Sequence, residues 1–174
     1  MEQVRMAPID TFSFVVGITF ALRPAPATTI GNGTNPGNMT IAPGGAATEL
    51  DAFTLATSVG TDTVTAATVT LAAGTAARIS LVEITSNDGL TVYGSAANPA
   101  ADAVSITGMS IPVTTTTTPF KVRITPKSHA AMPAPPGAAY AVTATITAFT
   151  STVPQAGTDS ASATVTIDNS SPDN

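Results

Sequence analysis

The 174-residue chain contains no cysteine and no tryptophan, and only 5% of its residues are aromatic. Without cysteine, neither a disulfide framework nor a thiolate metal site is available to it. Without tryptophan, the interior is expected to be filled by phenylalanine, tyrosine and small side chains. Charged residues make up only 10% of the chain, far below the roughly 25% that is usual for soluble domains.

Basic residues are particularly scarce. Lysine and arginine together number six, and the formal net charge is −5. The one basic cluster consists of Lys121, Arg123 and Lys127, and these residues alternate along an expected strand. A nucleic-acid partner is therefore not expected, because proteins of that class present a basic patch or stripe.

Threonine and alanine, by contrast, together account for about a third of the chain, far above their average use. Threonine is β-branched and suits a strand with one face in water. Alanine at facing positions lets two sheets approach closely. This composition, with its low charge, is typical of a secreted or surface-exposed β protein, so the sequence predicts an extracellular or cell-surface location.

Alternating apolar and polar residues recur along the chain, with turn residues between the runs and no helical periodicity. The clearest turn is Asn87-Asp88-Gly89, and a slip in the alternation at Ala66-Ala67 predicts a β-bulge. The sequence predicts an all-β, two-sheet β-sandwich of about 7–9 strands with an extended N-terminal arm. Its main strands are Ala52–Ser58, Asp62–Leu71, Arg78–Ser86, Leu90–Ala96, Val104–Val113, Phe120–Thr125, Tyr140–Phe149 and Ala161–Ile167.

The segment Met132–Phe149 combines a rigid Pro-Pro-Gly turn with the longest uninterrupted alternation in the chain. Tyr140, Val142, Ala144, Ile146 and Ala148 are predicted to share one face of the strand, with Phe149 on the other. The spacing of Gly137 and Tyr140 resembles the tyrosine corner of Greek-key sandwiches, in which a tyrosine hydroxyl bonds to the backbone just upstream. That corner has a structural role.

The first 27 residues form a separate unit, an apolar arm or strand followed by a proline-rich linker. Phe12–Leu22 is a continuous apolar run, too short to span a bilayer as a helix. It fits an export signal with Ala25 and Ala27 at a cleavage site, a first strand of the same sandwich, or a strand that adds to a neighbouring molecule. The residues that would form the apolar face of such a strand are Phe12, Phe14, Val16, Ile18 and Phe20.

The remaining chain divides into a sandwich over residues 28–169 and a tail over residues 170–174. Ala27–Gly45 is expected to be a turn-rich connector, with Thr40-Ile41 as a short extended piece within it. Asn32, Asn38 and Asn169 each begin a glycosylation triplet, although such triplets also arise by chance in a sequence rich in asparagine and threonine. Thr114–Thr118 is expected to be a solvated loop.

Few residues are candidates for chemistry. His129 is the single histidine, and the adjacent Ser128 is poorly placed for a catalytic triad. The aspartates lie singly near strand ends, which leaves one calcium site of unassigned position as an open alternative. Glu83 is expected to form a cross-strand charge pair with Arg123 or Lys121. No enzymatic activity, cofactor or metal site is predicted.

Several stretches carry a resemblance to a known family. They include Gly31-Asn-Gly-Thr-Asn-Pro-Gly, Asp51-Ala-Phe-Thr-Leu, Ser80-Leu-Val-Glu-Ile-Thr, Thr91-Val-Tyr-Gly-Ser, Arg123-Ile-Thr-Pro-Lys-Ser-His, Pro133-Ala-Pro-Pro-Gly and Ala163-Thr-Val-Thr-Ile-Asp. Over Thr28–Asp168 the chain resembles the Ig-like or fibronectin-III-like repeats of large exported bacterial surface proteins. The resemblance implies an Ig-like (fibronectin-III-like) Greek-key β-sandwich. It also implies an extracellular structural or adhesive module at the surface of a bacterium. It does not extend to Phe12–Leu22.

Together these features lead us to expect a non-enzymatic extracellular structural subunit. Its partners would be copies of itself, joined into a surface filament, pilus or layer through strand addition by the arm. Other cell-surface proteins remain possible partners. The alternative is an adhesion or carbohydrate-binding module of a larger surface protein, in which Tyr93 would be the residue available for stacking on a sugar.

Overall fold

A computed structural model describes residues 25–133 and 138–170 of the chain. These residues form an all-β sandwich of twelve strands, with two short 3-10 helices at Ala76–Arg78 and His129–Ala131. The strands are β1 Thr28–Asn32, β2 Met39–Ile41, β3 Thr48–Thr57, β4 Thr61–Leu71, β5 Ile79–Ser86, β6 Val92–Ala97, β7 Ala103–Thr114, β8 Thr118–Pro126, β9 Ala139–Val142, β10 Ala144–Thr150, β11 Gln155–Gly157 and β12 Val165–Asp168. The fold class predicted from the sequence is confirmed. The predicted N-terminal arm lies outside the described residues.

The first layer is one six-stranded sheet in the order β11-β1-β3-β8-β5-β6. Its central strands alternate as the sequence predicts, and Phe120, Val122 and Ile124 of β8 are all buried. The β5–β6 hairpin turns at Asn87-Asp88-Gly89, where the Asp88 carboxylate accepts a hydrogen bond from the N–H of Leu90 at 3.0 Å. Asp88 thus supports its own turn.

The second layer contains two three-stranded sheets, β10-β4-β7 and β2-β12-β9. Thr143 alone separates β9 from β10, and its carbonyl accepts a hydrogen bond from the N–H of Ala72 at 3.0 Å. The continuous segment of β9 and β10 therefore contributes one strand to each of the two small sheets. Its first half pairs with β12 and its second half pairs with β4.

Aliphatic side chains from both layers form a single core. Its aromatic part is small. The rings of Phe53 and Phe120 stack with centroids 5.7 Å apart, and Tyr93 meets Phe120 edge to face at the same distance. This is the packing expected of a chain without tryptophan, in which a few phenylalanines fill the centre and small residues fill the remainder.

Three sequence predictions need correction. Tyr140–Phe149 is not one regular strand, because it breaks at Thr143 and its register shifts between Ile146 and Ala148. That shift turns Phe149 into the core and Ala148 toward solvent, which reverses their predicted faces. Ala27–Gly45 is not only a connector, since β1 lies within it. Ala161–Ile167 forms a strand only from Val165 onward.

The structure has more strands than predicted because one predicted strand is divided and because short segments pair with longer neighbours. The break at Thr143 divides one predicted strand into two. Thr28–Asn32 and Gln155–Gly157 are short and lack strong alternation, yet each pairs with a longer neighbour. Such short segments become strands through pairing with neighbours, and their own residues do not reveal that pairing.

Candidate functional site: a cleft between two edge strands

A surface cleft lies between β10 and β11, on the open side of the sandwich. It has a volume of about 370 Å³. Its lining residues are Ile30, Ile146, Thr147, Ala148, Phe149, Gln155, Ala156, Gly157, Thr158 and Asp159. Ile30, Ile146 and Phe149 are buried and form an apolar floor, while the residues of the two walls are mostly exposed. Asp159 is the only charged residue in the lining.

The path of the chain explains why this side is open. After β10 the chain crosses to the first layer, where β11 pairs in parallel with β1. It then returns through residues 158–164 and enters the second layer as β12, which pairs with β2 and β9. Within the described residues, β10 has a strand partner only on its β4 side and β11 only on its β1 side. The cleft therefore separates two unpaired sheet edges.

Side chains cover part of the free edge of β10. The Asp159 carboxylate accepts a hydrogen bond from the N–H of Ile146 at 2.7 Å. The Ser162 hydroxyl accepts one from the N–H of Ala144 at 3.2 Å. Side chains here take the position of a missing strand, which is a common way to protect an edge. The covered part ends at Ile146, whereas Thr147 and Ala148 remain exposed.

Three asparagines hold the return segment in place. Asn32 accepts a hydrogen bond from the N–H of Ser160 at 2.8 Å, and Asn38 accepts one from the N–H of Thr164 at 2.8 Å. Between them, Asn35 donates to the carbonyl of Ala161 at 2.9 Å. Residues 160–164 are thus anchored largely by amide side chains. The N–H of Ala163 also donates a hydrogen bond to the carbonyl of Leu50 at 3.0 Å. Asn32 and Asn38 each begin a predicted glycosylation triplet, and both side chains make internal bonds.

A pair of buried carboxyl groups lies at the covered end of the cleft. Asp51 follows a bulge in β3 and lies opposite Val122 on the inward face, where it is fully buried. Burial, together with the nearby carboxyl of Asp159 and the charge of Glu49, raises the pKa of Asp51 to about 8. Burial also raises the pKa of Asp159. Because two carboxylates cannot share this site without a proton, the pair holds at least one proton at neutral pH.

A third buried aspartate joins the ends of three segments. Asp62 accepts hydrogen bonds from the Thr28 hydroxyl at 2.5 Å, from the Thr63 N–H at 2.7 Å, and from both the hydroxyl and the N–H of Thr152 at 2.5 and 3.1 Å. Burial opposes ionisation, but these hydrogen bonds outweigh it and lower the pKa of Asp62 to about 2. The ionised carboxylate therefore fixes the start of β1 and the loop after β10.

The predicted tyrosine corner is described in part. The Tyr140 hydroxyl donates a hydrogen bond to the carbonyl of Pro133 at 3.1 Å, seven residues upstream. The guanidinium carbon of Arg78 lies 4.0 Å from the centre of the Tyr140 ring. Gly137 lies outside the described residues, as do Phe12, Phe14, Val16, Ile18 and Phe20 of the predicted arm. The corner remains a prediction, although the tyrosine makes a contact of the expected kind.

The other predicted candidates are distributed over the fold. His129 begins the second 3-10 helix and does not line the cleft. The Glu83 carboxylate pairs with Arg123 at 3.2 Å, as predicted, while Lys121 pairs with Glu49 at 2.7 Å. Asn169 is buried, so its glycosylation triplet is inaccessible in the folded domain.

Among the described residues, no three histidine, aspartate or glutamate side chains lie close enough together to hold a metal ion. No helix within residues 25–133 or 138–170 is long and apolar enough to cross a membrane.

Sequence reasoning missed the burial of Asp51, Asp62 and Asp159. It described them as single acidic residues near strand ends. One signal was present, since Asp51 lies between Leu50 and Phe53 in the most buried part of β3. A charged residue at such a position is rarely buried without a partner. The position of that partner, about a hundred residues later in the chain, follows from tertiary structure alone.

No protein-family model matches the chain, and no curated protein matches it at a significant level. The fold and the cleft therefore carry the functional inference.

Proposed function

We propose that this protein is a non-enzymatic, extracellular structural subunit that assembles with copies of itself into a cell-surface filament or layer. The observation that carries the proposal is the cleft between β10 and β11, which presents two unpaired edges above an apolar floor. Unpaired edges readily accept an additional strand. The predicted arm, with five alternating apolar residues, supplies a strand of the required character.

The energetics support assembly by this route. Each apolar side chain that becomes fully buried contributes about 1.5–3 kcal/mol. Five such residues on one face of the arm, together with backbone hydrogen bonds to a sheet edge, are sufficient to offset the cost of ordering the arm and joining two molecules. The low charge of the chain agrees with a protein that packs closely against its own copies.

The alternative of a carbohydrate-binding module has less support. Sugar binding commonly uses an exposed aromatic face, and Tyr93 instead packs its ring edge to face against Phe120. A protein adhesion role is compatible with the same fold, but no feature of the described surface favours it.

Two adjacent valines of the arm provide a matched test. Val16 belongs to the predicted apolar face and Val15 to the opposite face. The full chain carrying Val16→Asp is expected to remain monomeric under conditions in which the wild type forms filaments or large oligomers. The full chain carrying Val15→Asp is expected to assemble. Light scattering and electron microscopy give the readout. Equal assembly of both variants, or a wild type that is always monomeric, would contradict the proposal.

A further inference from the structure

We propose that the cleft between β10 and β11 is the acceptor site for residues 12–20 of a second copy of this chain, and that the incoming strand pairs with the uncovered part of β10. This inference rests on the proposed function and adds to it the location of the acceptor, the edge that is used and the identity of the donor.

The two strands that form the walls of the cleft differ in the length of unpaired backbone edge that they expose. β11 is three residues long, and its last residue, Gly157, sits so close to β1 that a Cβ atom there would overlap the carbonyl oxygen of Ile30. β10 is longer, and only its first half is covered by Asp159 and Ser162. The exposed stretch after Ile146 is therefore the edge available for pairing.

The chemistry of the cleft matches that of the arm. Its floor is formed by Ile30, Ile146 and Phe149, and apart from Asp159 its lining is uncharged. Residues 12–22 likewise contain no charged side chain. A strand that places its alternating phenylalanine, valine and isoleucine residues on this floor would leave no charge buried without a partner. A charged segment would be rejected on the same ground.

The geometry at Ala27 indicates that the donor is another molecule. The Ala27 carbonyl accepts a hydrogen bond from the N–H of Ser58 at 2.9 Å, and the Ala27 N–H donates to the Ser58 hydroxyl at 3.0 Å. These bonds extend the β1–β3 pairing beyond Thr28, so the chain continues in the direction of β1 as it is traced toward the arm.

An arm that entered its own cleft would have to reverse immediately before this point. Pro24 and Pro26 lie in the sequence directly before this point. A proline disfavours the helical region at the residue before it, so Arg23 and Ala25 are biased toward extended backbone, which favours continuing the direction of β1. Reaching a neighbour requires no reversal, because the arm can simply continue outward.

The absence of native cysteine allows a direct test by disulfide cross-linking in full-length chains. One population carries Val15→Cys, on the face of the arm that is not buried in the proposed complex. The other carries Ala148→Cys, at an exposed position on the uncovered edge of β10. Directly opposed residues on paired strands approach within the range that a disulfide requires. The matched control is Ser110→Cys, which is exposed on β7 of the same small sheet.

The two populations carry different tags, and mild oxidation follows mixing. The expected result is at least about tenfold more mixed disulfide dimer with Ala148→Cys than with Ser110→Cys, because docking raises the local concentration of the two thiols. Cross-linking no better than the control, in a wild type that still assembles, would overturn the acceptor assignment and leave the proposed function intact. A wild type that never assembles would instead remove the proposed function.

A third variant, with Val15→Cys and Ala148→Cys in one chain, identifies the donor. Disulfide-linked oligomers are expected from it. If the disulfide forms only within single chains, the arm occupies its own cleft and the assignment to a second copy is wrong. Circular dichroism of each variant establishes that all of them fold.

Discussion

The carboxylate of Asp159 accepts a hydrogen bond from the N–H of Ile146 at 2.7 Å, so one side chain occupies the edge of β10 where a neighbouring strand would otherwise bind. The same carboxyl group lies beside the buried Asp51. Asp159 therefore both protects the edge of β10 and belongs to the buried carboxyl pair that holds a proton. This link, at the closed end of the cleft, makes the local stability of the domain depend on pH.

The stability of the wild type is expected to decrease as pH rises from about 4 to about 8. The folded state holds a proton on the Asp51–Asp159 pair that the unfolded chain releases near its ordinary pKa of 3.8. Because the native state binds more protons in this window, raising the pH favours unfolding, by at most about 1.4 kcal/mol per pH unit for one proton. Urea unfolding measured at several pH values tests the trend.

Asp51→Asn should reduce this slope between pH 5 and pH 8. The control is Asp88→Asn, because the pKa of the exposed Asp88 is lowered, chiefly by its hydrogen bond from Ser86, and it therefore titrates only in more acidic solution. An unchanged slope in Asp51→Asn would show that the pair does not share a proton.

Asp62 should have the opposite dependence. Its pKa of about 2 lies below the unfolded value of 3.8. The stability it contributes is therefore fully present above about pH 4 and is lost as pH falls toward 2. Asp62→Ala is expected to cost at least about 2 kcal/mol at pH 7, because hydrogen bonds to a charged group each contribute about 1.5–3 kcal/mol. Thr152→Val, which removes one of the donors, should cost less. Equal unfolding free energies for wild type and Asp62→Ala at neutral pH would contradict this role.

Gly157 and Gly60 form a matched pair for backbone effects. Both have positive φ angles, of 80° and 71°, but a Cβ at Gly157 would overlap the carbonyl of Ile30, whereas nothing lies near one at Gly60. Gly60→Ala is expected to lose only about 1 kcal/mol of stability from backbone strain. Gly157→Ala should lose more, and it should raise hydrogen exchange at β11 and the facing part of β1. Similar losses in the two variants would mean that β11 is not held against β1.

Tyr140→Phe isolates the hydroxyl that bonds to Pro133. The loss of one partly buried hydrogen bond is expected to lower stability by about 1 kcal/mol, while the contact between the ring and Arg78 remains. The control is Tyr93→Phe, which retains the ring packing on Phe120 and should change stability little. Thermal unfolding of the two variants provides the comparison. A larger loss of stability in Tyr93→Phe than in Tyr140→Phe would contradict the stabilising role of the Tyr140 hydroxyl.

The sequence predicted most of the fold because the long strands carry strong alternation. Phe120–Thr125 and the hairpin around Asn87-Asp88-Gly89 could be located from residue pattern alone, and the slip at Ala66-Ala67 lies beside an observed register shift. The failures are at positions set by distant contacts. The inward position of Phe149 depends on a bulge that its own alternation does not reveal.

The cleft was harder to predict from the sequence than the strands were. The sequence identified a candidate donor in Phe12–Leu22 but no acceptor. β11 is only three residues of low β propensity, and it becomes a strand because β1 lies beside it. Likewise, the three asparagines that hold the return segment, Asn32, Asn35 and Asn38, were predicted only to lie in turns or to begin chance glycosylation triplets. Their targets lie about 126–128 residues later.

The two parallel pairings, β1 with β11 and β2 with β12, have a mechanical consequence. Each joins a strand from the beginning of the domain to one from its end. When tension is applied through the two ends of the domain, parallel partners are pulled past each other along their length. Their hydrogen bonds are then loaded together in shear instead of opening one after another. A domain with these two parallel pairings resists stretching along the line that joins its ends.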